Sequence, residues 1–209
     1  DPLPRADRRV EFIRESLVDL DAQLRQLAGD AAAGLIVRHG KAKAEIAQLA
    51  QQLGVQAVFA NHDDEPQSLA RDAQVRGALA DRGIALHTHK DHVIFERQEV
   101  LTQQGGVFSV FTPYKKAWLK QLQASDLDAH AVDLESGRMA TIPHHLDQGN
   151  PSLKSLGFHD SGIGNYLPVG MSGASKLLES FLERIDHYHA TRDFPGVKGP
   201  SYLSVHSRF

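Results

Sequence analysis

The chain alternates stretches of helical period with short apolar runs. Val10, Ile13, Leu17, Leu20, Leu24 and Leu27 recur at three- and four-residue steps, with Arg8, Glu11, Glu15, Asp19 and Arg25 on the opposite face. That pattern predicts an amphipathic helix over 7–27, with Pro4 and Asp7 as start signals and Gly29 as its stop. Leu35, Ile36 and Val37 form an apolar run between Gly34 and Gly40, which predicts a short buried strand. Helical period returns over 41–53 through Ile46, Leu49 and Leu53, ending at Gly54. A second strand is expected over 55–60, a helix from Pro66 or Ser68 to 82 with Leu69, Ala73, Val75 and Leu79 inward, and a third strand over 84–88.

Helices alternating with strands across short loops predict an α/β fold with a parallel, Rossmann-like sheet wound by crossover helices. The strands are apolar throughout, as a sheet covered on both faces requires. Such a sheet calls for a strand ahead of the first helix. The chain opens instead on the loop sequence Asp1-Pro2-Leu3-Pro4 and closes on Arg208-Phe209 in mid-pattern, so it reads as a fragment.

Beyond Thr88 the regularity breaks. Residues 93–102 read as a short strand or turn and then a helical piece, 103–106 as a turn, and 107–111 as extended. A helix follows over 114–123, with Thr112 as cap and Pro113 at its first position. Phe108, Phe111, Tyr114 and Trp118 are expected to pack as one aromatic cluster. Residues 125–168 lack period and carry Pro143, Pro151 and Pro168 among several glycines, the pattern of a linker wrapping the first domain. Ser172 then caps a helix over 173–190, striped by Leu177, Leu178, Phe181, Leu182 and Ile185.

Composition narrows the classes. At 209 residues and 41% hydrophobic, the chain can bury a core, and no apolar run reaches the ~20 residues of a membrane span. With no cysteine, disulfides and thiolate metal sites are excluded. A net charge of −3 gives no global argument for nucleic-acid binding and leaves only a local basic patch.

Candidate chemistry is sparse. His87, His89 and His92 are the densest histidine group, but strand-end surface histidines explain them better than a metal, and no metal site is expected. The pairs His144/His145 and His187/His189 do not converge. Gly162-Ile163-Gly164 and residues 170–176 lack the flanking strand of a nucleotide loop. Asn61, His62, Asp63, Asp64 and Glu65 follow the second strand, where open α/β sheets bind ligands, and equally suit a solvated loop whose acids start a helix. Residues 188–209 crowd hydroxyls, glycines and aromatics before an apparent helix start at Ser201. Local chemistry there allows either a plain cap or a phosphate seat made of first-turn N–H groups. No triad or acid–base carboxylate pair emerges, so no catalytic residue is assigned.

Three stretches, FSVFTPYKKAW at 108–118, YHATRDFP at 188–195 and KGPSYLSVHSRF at 198–209, together resemble the cryptochrome/DNA photolyase family, in particular its bacterial class I deoxyribodipyrimidine photolyases. The resemblance covers essentially the whole chain. It implies an α/β antenna domain over 1–124 without its first strand, an interdomain linker over 125–170, and the start of an all-helical FAD-binding domain over 171–209. It assigns FAD contacts to Tyr188, Ser201, Tyr202, Leu203 and Ser204, and a DNA-facing role to Arg192. It further implies an antenna chromophore of folate or deazaflavin type, UV-damaged DNA as partner of the full-length protein, and a monomeric cytoplasmic enzyme of which this fragment alone is inactive. A cryptochrome photoreceptor without repair activity is the alternative. Pro200 stands where many members have Thr, Ser207 where an apolar residue is usual, and Gln67-Ser68 where some members hold folate with Asn-Glu, which puts folate in doubt.

Overall fold

The computed structural model describes residues 3–91, 93–128 and 139–207. It forms two compact units: Arg38–Val132, and Asp1–Val37 together with Asp133–Phe209.

In the first unit, α2 (Ala42–Leu53), β1 (Ala57–Asn61), α3 (Pro66–Ala80) and β2 (Ala85–His89) make the α/β part. β1 and β2 pair in parallel, with Ala57 opposite Ala85 and Asn61 opposite His89. The α/β class with a parallel sheet is thus what forms, though only these two strands pair among the described residues. Alternation along the strands sends Val58 and Leu86 toward the helices, where they join Ala47, Ala50, Val75, Leu79 and Ile84 in the core. The other face carries exposed Phe59, His87 and His89. A sheet buried on both faces was the expectation; here one face is open, and Phe59 stacks on the His87 ring at 5.1 Å.

The helix expected over 114–123 is α4 (Phe111–Gln121), which begins a turn earlier after Val110. Pro113 therefore sits in the first turn, where its missing N–H leaves no intrahelical bond unmade. The expected aromatic cluster divides. Phe108 meets Tyr114 edge-on, Trp118 packs on Phe95 at 5.4 Å, and Phe111 stays 72% exposed.

In the other unit, α1 (Arg8–Ala28) is capped by Asp7, which accepts from Arg9 N at 2.9 Å. The Arg9 side chain also bonds this carboxylate and holds it down to about 2. The strand expected at 35–37 does not form: the Leu35 N–H goes to the Asp21 side chain of α1, at 2.8 Å, instead of to a neighbouring strand. The described part of the linker region folds onto α1. Ile142 and Leu146 are buried, Ile142 N donates to Ala32 O, and Ser161 N donates to buried Glu11 at 2.6 Å.

The helix expected over 173–190 is α5 (Gly170–Leu182), followed after a 3-10 turn by α6 (Tyr188–Thr191). Ser172 does not cap it as expected. Its N–H and hydroxyl both donate to Asp19 of α1, at 3.1 and 2.8 Å, so the carboxylate caps α5 from across the helix pair. Burial raises the Asp19 pKa, yet the bonds from Ser172 and Gln23 outweigh it and leave the group below its usual value. Gly170, at φ 72°, permits this approach: a Cβ there would lie 2.5 Å from Asp19 Oδ2. No helix among the described residues is long and apolar enough to cross a membrane.

Candidate cofactor site

The end of α5 organises the segment beyond it. Arg184 leaves helical geometry, and its guanidinium folds back to the Ser180 carbonyl and hydroxyl and reaches the Pro200 carbonyl at 2.9 Å. A last-turn carbonyl is satisfied in this way, and residue 200 is tied to α5. Lys198 Nζ shares Ser180 Oγ at 3.3 Å. The Arg184 guanidinium lies over Phe181 at 5.5 Å, and Tyr188 meets the same ring edge-on at 5.7 Å.

Tyr188 opens α6 and is 39% exposed. Arg192 sits one turn on, 5.9 Å above the Tyr188 ring, with Asp193 3.5 Å from its Nε. The chain then returns against α6 at Gly199, where an added Cβ would lie 2.7 Å from the Thr191 carbonyl oxygen. Ser201 Oγ accepts from Leu203 N at 3.4 Å, and Tyr202 takes a left-handed turn at φ 60°. Leu203 O accepts both the N–H and the hydroxyl of Ser207, at 2.9 and 3.0 Å. A helical turn therefore starts at Leu203, close to the helix start expected at Ser201. The N–H groups of Ser204, Val205 and His206 make no backbone hydrogen bond among the described residues. These are the donors of a first helical turn, and they suit an anionic oxygen.

Tyr188, Arg192 and 201–204 thus all belong to the folded segment after α5. Sequence reasoning missed Arg184 and Lys198. Nothing in the pattern signalled either, since the helix was expected to run on to 190 with Arg184 inside it.

Of the other candidates, Asn61–Glu65 resolves toward local structure. Asp63 accepts from Glu65 N and from the Ser68 hydroxyl at 2.7 Å, holding the entry to α3. His62, just past the end of β1, bridges Glu96 at 2.7 Å and Thr88 of β2 at 3.0 Å. Arg97, at φ 49°, pairs with Asp64 at 2.7 Å. Ser68 of the Gln67-Ser68 pair is buried with its hydroxyl committed to Asp63. His92 lies outside the described residues, and no three His, Asp or Glu side chains gather as a metal site among those described.

The family model for DNA photolyase matches residues 2–133, more than half of the chain. The chain belongs to the DNA photolyase family. A deoxyribodipyrimidine photo-lyase from a Synechococcus species is 32% identical over 207 residues, 98% of this chain and 42% of the relative. A cryptochrome DASH from Natronomonas pharaonis is 30% identical over 215 residues, 99% of this chain and 43% of the relative. The chain therefore spans about two-fifths of the length of these relatives. In fold it resembles the crystal structure of a class III photolyase from Agrobacterium tumefaciens, with a TM-score of 0.77 over 99% of this chain and 42% of that one, at 22% identity.

Proposed function

We propose that the chain is the front part of a light-driven deoxyribodipyrimidine photolyase that repairs cyclobutane pyrimidine dimers in UV-damaged DNA. When bound, reduced FAD supplies the excited electron that splits the dimer and recovers it afterwards. The residues here act by holding and orienting. The observation that carries the reading is the free first turn after Leu203, set beside the Ser201 and Ser204 hydroxyls and anchored by Arg184 and Gly199. That arrangement offers a seat for a diphosphate, with Tyr202 and Leu203 shaping the turn; Tyr188, on the same segment after α5, is the remaining flavin contact of this reading. Pro200 contributes its carbonyl to Arg184 and has no N–H, so the seat relies on the donors after Leu203.

Arg192 faces DNA in this reading. An antenna chromophore of folate or deazaflavin type belongs to the α/β part at the strand ends in this reading, and the committed Ser68 hydroxyl disfavours folate. The division of the parent protein at 124 and 170, its monomeric state and its cytoplasmic location belong to the same proposal. The match to a cryptochrome DASH favours a second reading, a blue-light photoreceptor without repair activity.

Two measurements on the full-length protein test this. Tyr188→Ala with Ser201→Ala is expected to lower flavin content, read from visible absorbance; unchanged content removes the cofactor assignment. Blue light is expected to clear dimers from irradiated DNA, and a flavin-loaded protein that fails to do so transfers the assignment to the photoreceptor. The 209-residue chain alone is expected to purify nearly colourless.

A further inference from the structure

Beside α4 lies a groove of about 690 Å³ that the flavin reading does not use. Its floor is Leu101, Phe108 and Ala117, and its rim is Gln103, Gln104 and Lys120. The glutamines sit at the tip of a turn closed by Thr102, whose N–H donates to Gly106 O at 2.8 Å and whose hydroxyl accepts from Gly106 N at 3.0 Å. α4 adds exposed Lys115 and Lys116 to Lys120 and contains no acidic residue. None of the three lysines pairs with a carboxylate among the described residues. In a chain of net charge −3, this is a local concentration of uncompensated positive charge.

Each part of the groove answers a part of one ligand. An apolar floor with one aromatic ring takes a flat heterocycle. Two primary amides present donors and acceptors together, as the edge of a nucleobase demands. An ammonium is a point charge for a phosphate. Lys116 and Lys120 lie one helical turn apart, about 6 Å along the axis, so the charge is spread over more than one phosphate. That favours a strand over a mononucleotide. We propose that this groove seats a base of single-stranded nucleic acid, with Lys120 at its rim and Lys116 one turn away on the phosphates. This is a site on the α/β unit that requires neither flavin nor a lesion.

The test is fluorescence anisotropy of the 209-residue chain with an undamaged, labelled DNA strand of about 12 nucleotides, in the dark and without flavin. Lys116→Glu with Lys120→Glu is expected to weaken binding about tenfold or more and to lower the salt slope by about one per lysine. Gln103→Ala with Gln104→Ala is expected to weaken the single strand while leaving the weaker binding of a duplex unchanged. The control, Lys176→Glu on α5, is expected to shift affinity less than about twofold. Equal losses in the lysine pair and the control would overturn the site. So would a duplex bound as tightly as the strand, or AMP displacing the strand at matching concentration. A circular-dichroism spectrum like that of the unmutated chain secures each variant as folded. Because no flavin or light is involved, the outcome is independent of the photolyase reading.

Discussion

The two compact units hold themselves together by different means. Arg38–Val132 closes on an apolar core in which α2 and α3 cover one face of a two-stranded sheet. In the other unit, α1 meets its neighbours through carboxylates as well as apolar side chains: Asp19 caps α5 through Ser172, and buried Glu11 accepts from Ser161 in the loop region before α5. An apolar core loses stability in proportion to the volume removed from it. A carboxylate clasp depends on a few directional bonds and on pH. The candidate cofactor segment comes directly after α5, so its placement rests on the second kind of contact.

Three substitutions separate the two regimes. Leu79→Ala empties a large, fully buried side chain of the α/β core, and should cost about 2–5 kcal/mol in denaturant unfolding. Gly199→Ala forces a Cβ against the Thr191 backbone and should cost about 1–3 kcal/mol. It should also lower flavin content in the full-length protein, which Leu79→Ala should do only through loss of fold. Asp19→Asn weakens the cap on α5 and should cost about 1 kcal/mol. If Leu79→Ala and Asp19→Asn proved equally costly, the distinction between the units would fail.

The α/β elements were legible because period and breakers agree there. Gly54, Pro66 and Gly83 bound α2, α3 and β2 closely to the expected spans. What could not be read were partners distant in sequence. Leu35–Val37 has the composition of a strand, but its first N–H is taken by Asp21, and no hydropathy pattern records that competition. Ser172 has the look of a cap because Ser at a helix start usually is one; its hydroxyl instead donates to a carboxylate 153 positions away. The helix expected to reach 190 stops at Leu182, and Arg184 just beyond it reaches the Pro200 carbonyl sixteen positions on, a tertiary contact that helix propensity does not contain. At the candidate site, YHATRDFP and the residues after Gly199 were identified through resemblance to a family, whereas Arg184 and Lys198 emerged only from contacts.

The smallest expected effect is the most discriminating about charge. Lys90 Nζ lies 2.7 Å from Glu99 Oε2, both side chains well exposed, and this bond, with the Glu96 N–H, holds the Glu99 carboxyl below its usual value. Asp19 is also lowered, by Ser172 and Gln23 against the cost of burial. A carboxylate lowered in the folded state adds stability that is complete above the ordinary carboxylate range, about pH 4, and fades as pH falls through its folded value. Acidification should therefore shrink the stability gap between the unmutated chain and Asp19→Asn. Lys90→Met should show a smaller gap near neutrality that also closes in acid. Added salt tells the two apart. An exposed ion pair is screened within about 10 Å at 0.1 M, so the Lys90→Met gap should nearly vanish in high salt. The Asp19 cap, made of hydrogen bonds from a backbone N–H and a hydroxyl, should persist. Melting temperatures of both variants at two pH values and two salt concentrations measure this directly, and a salt-sensitive Asp19 gap would show that the clasp is ordinary surface electrostatics.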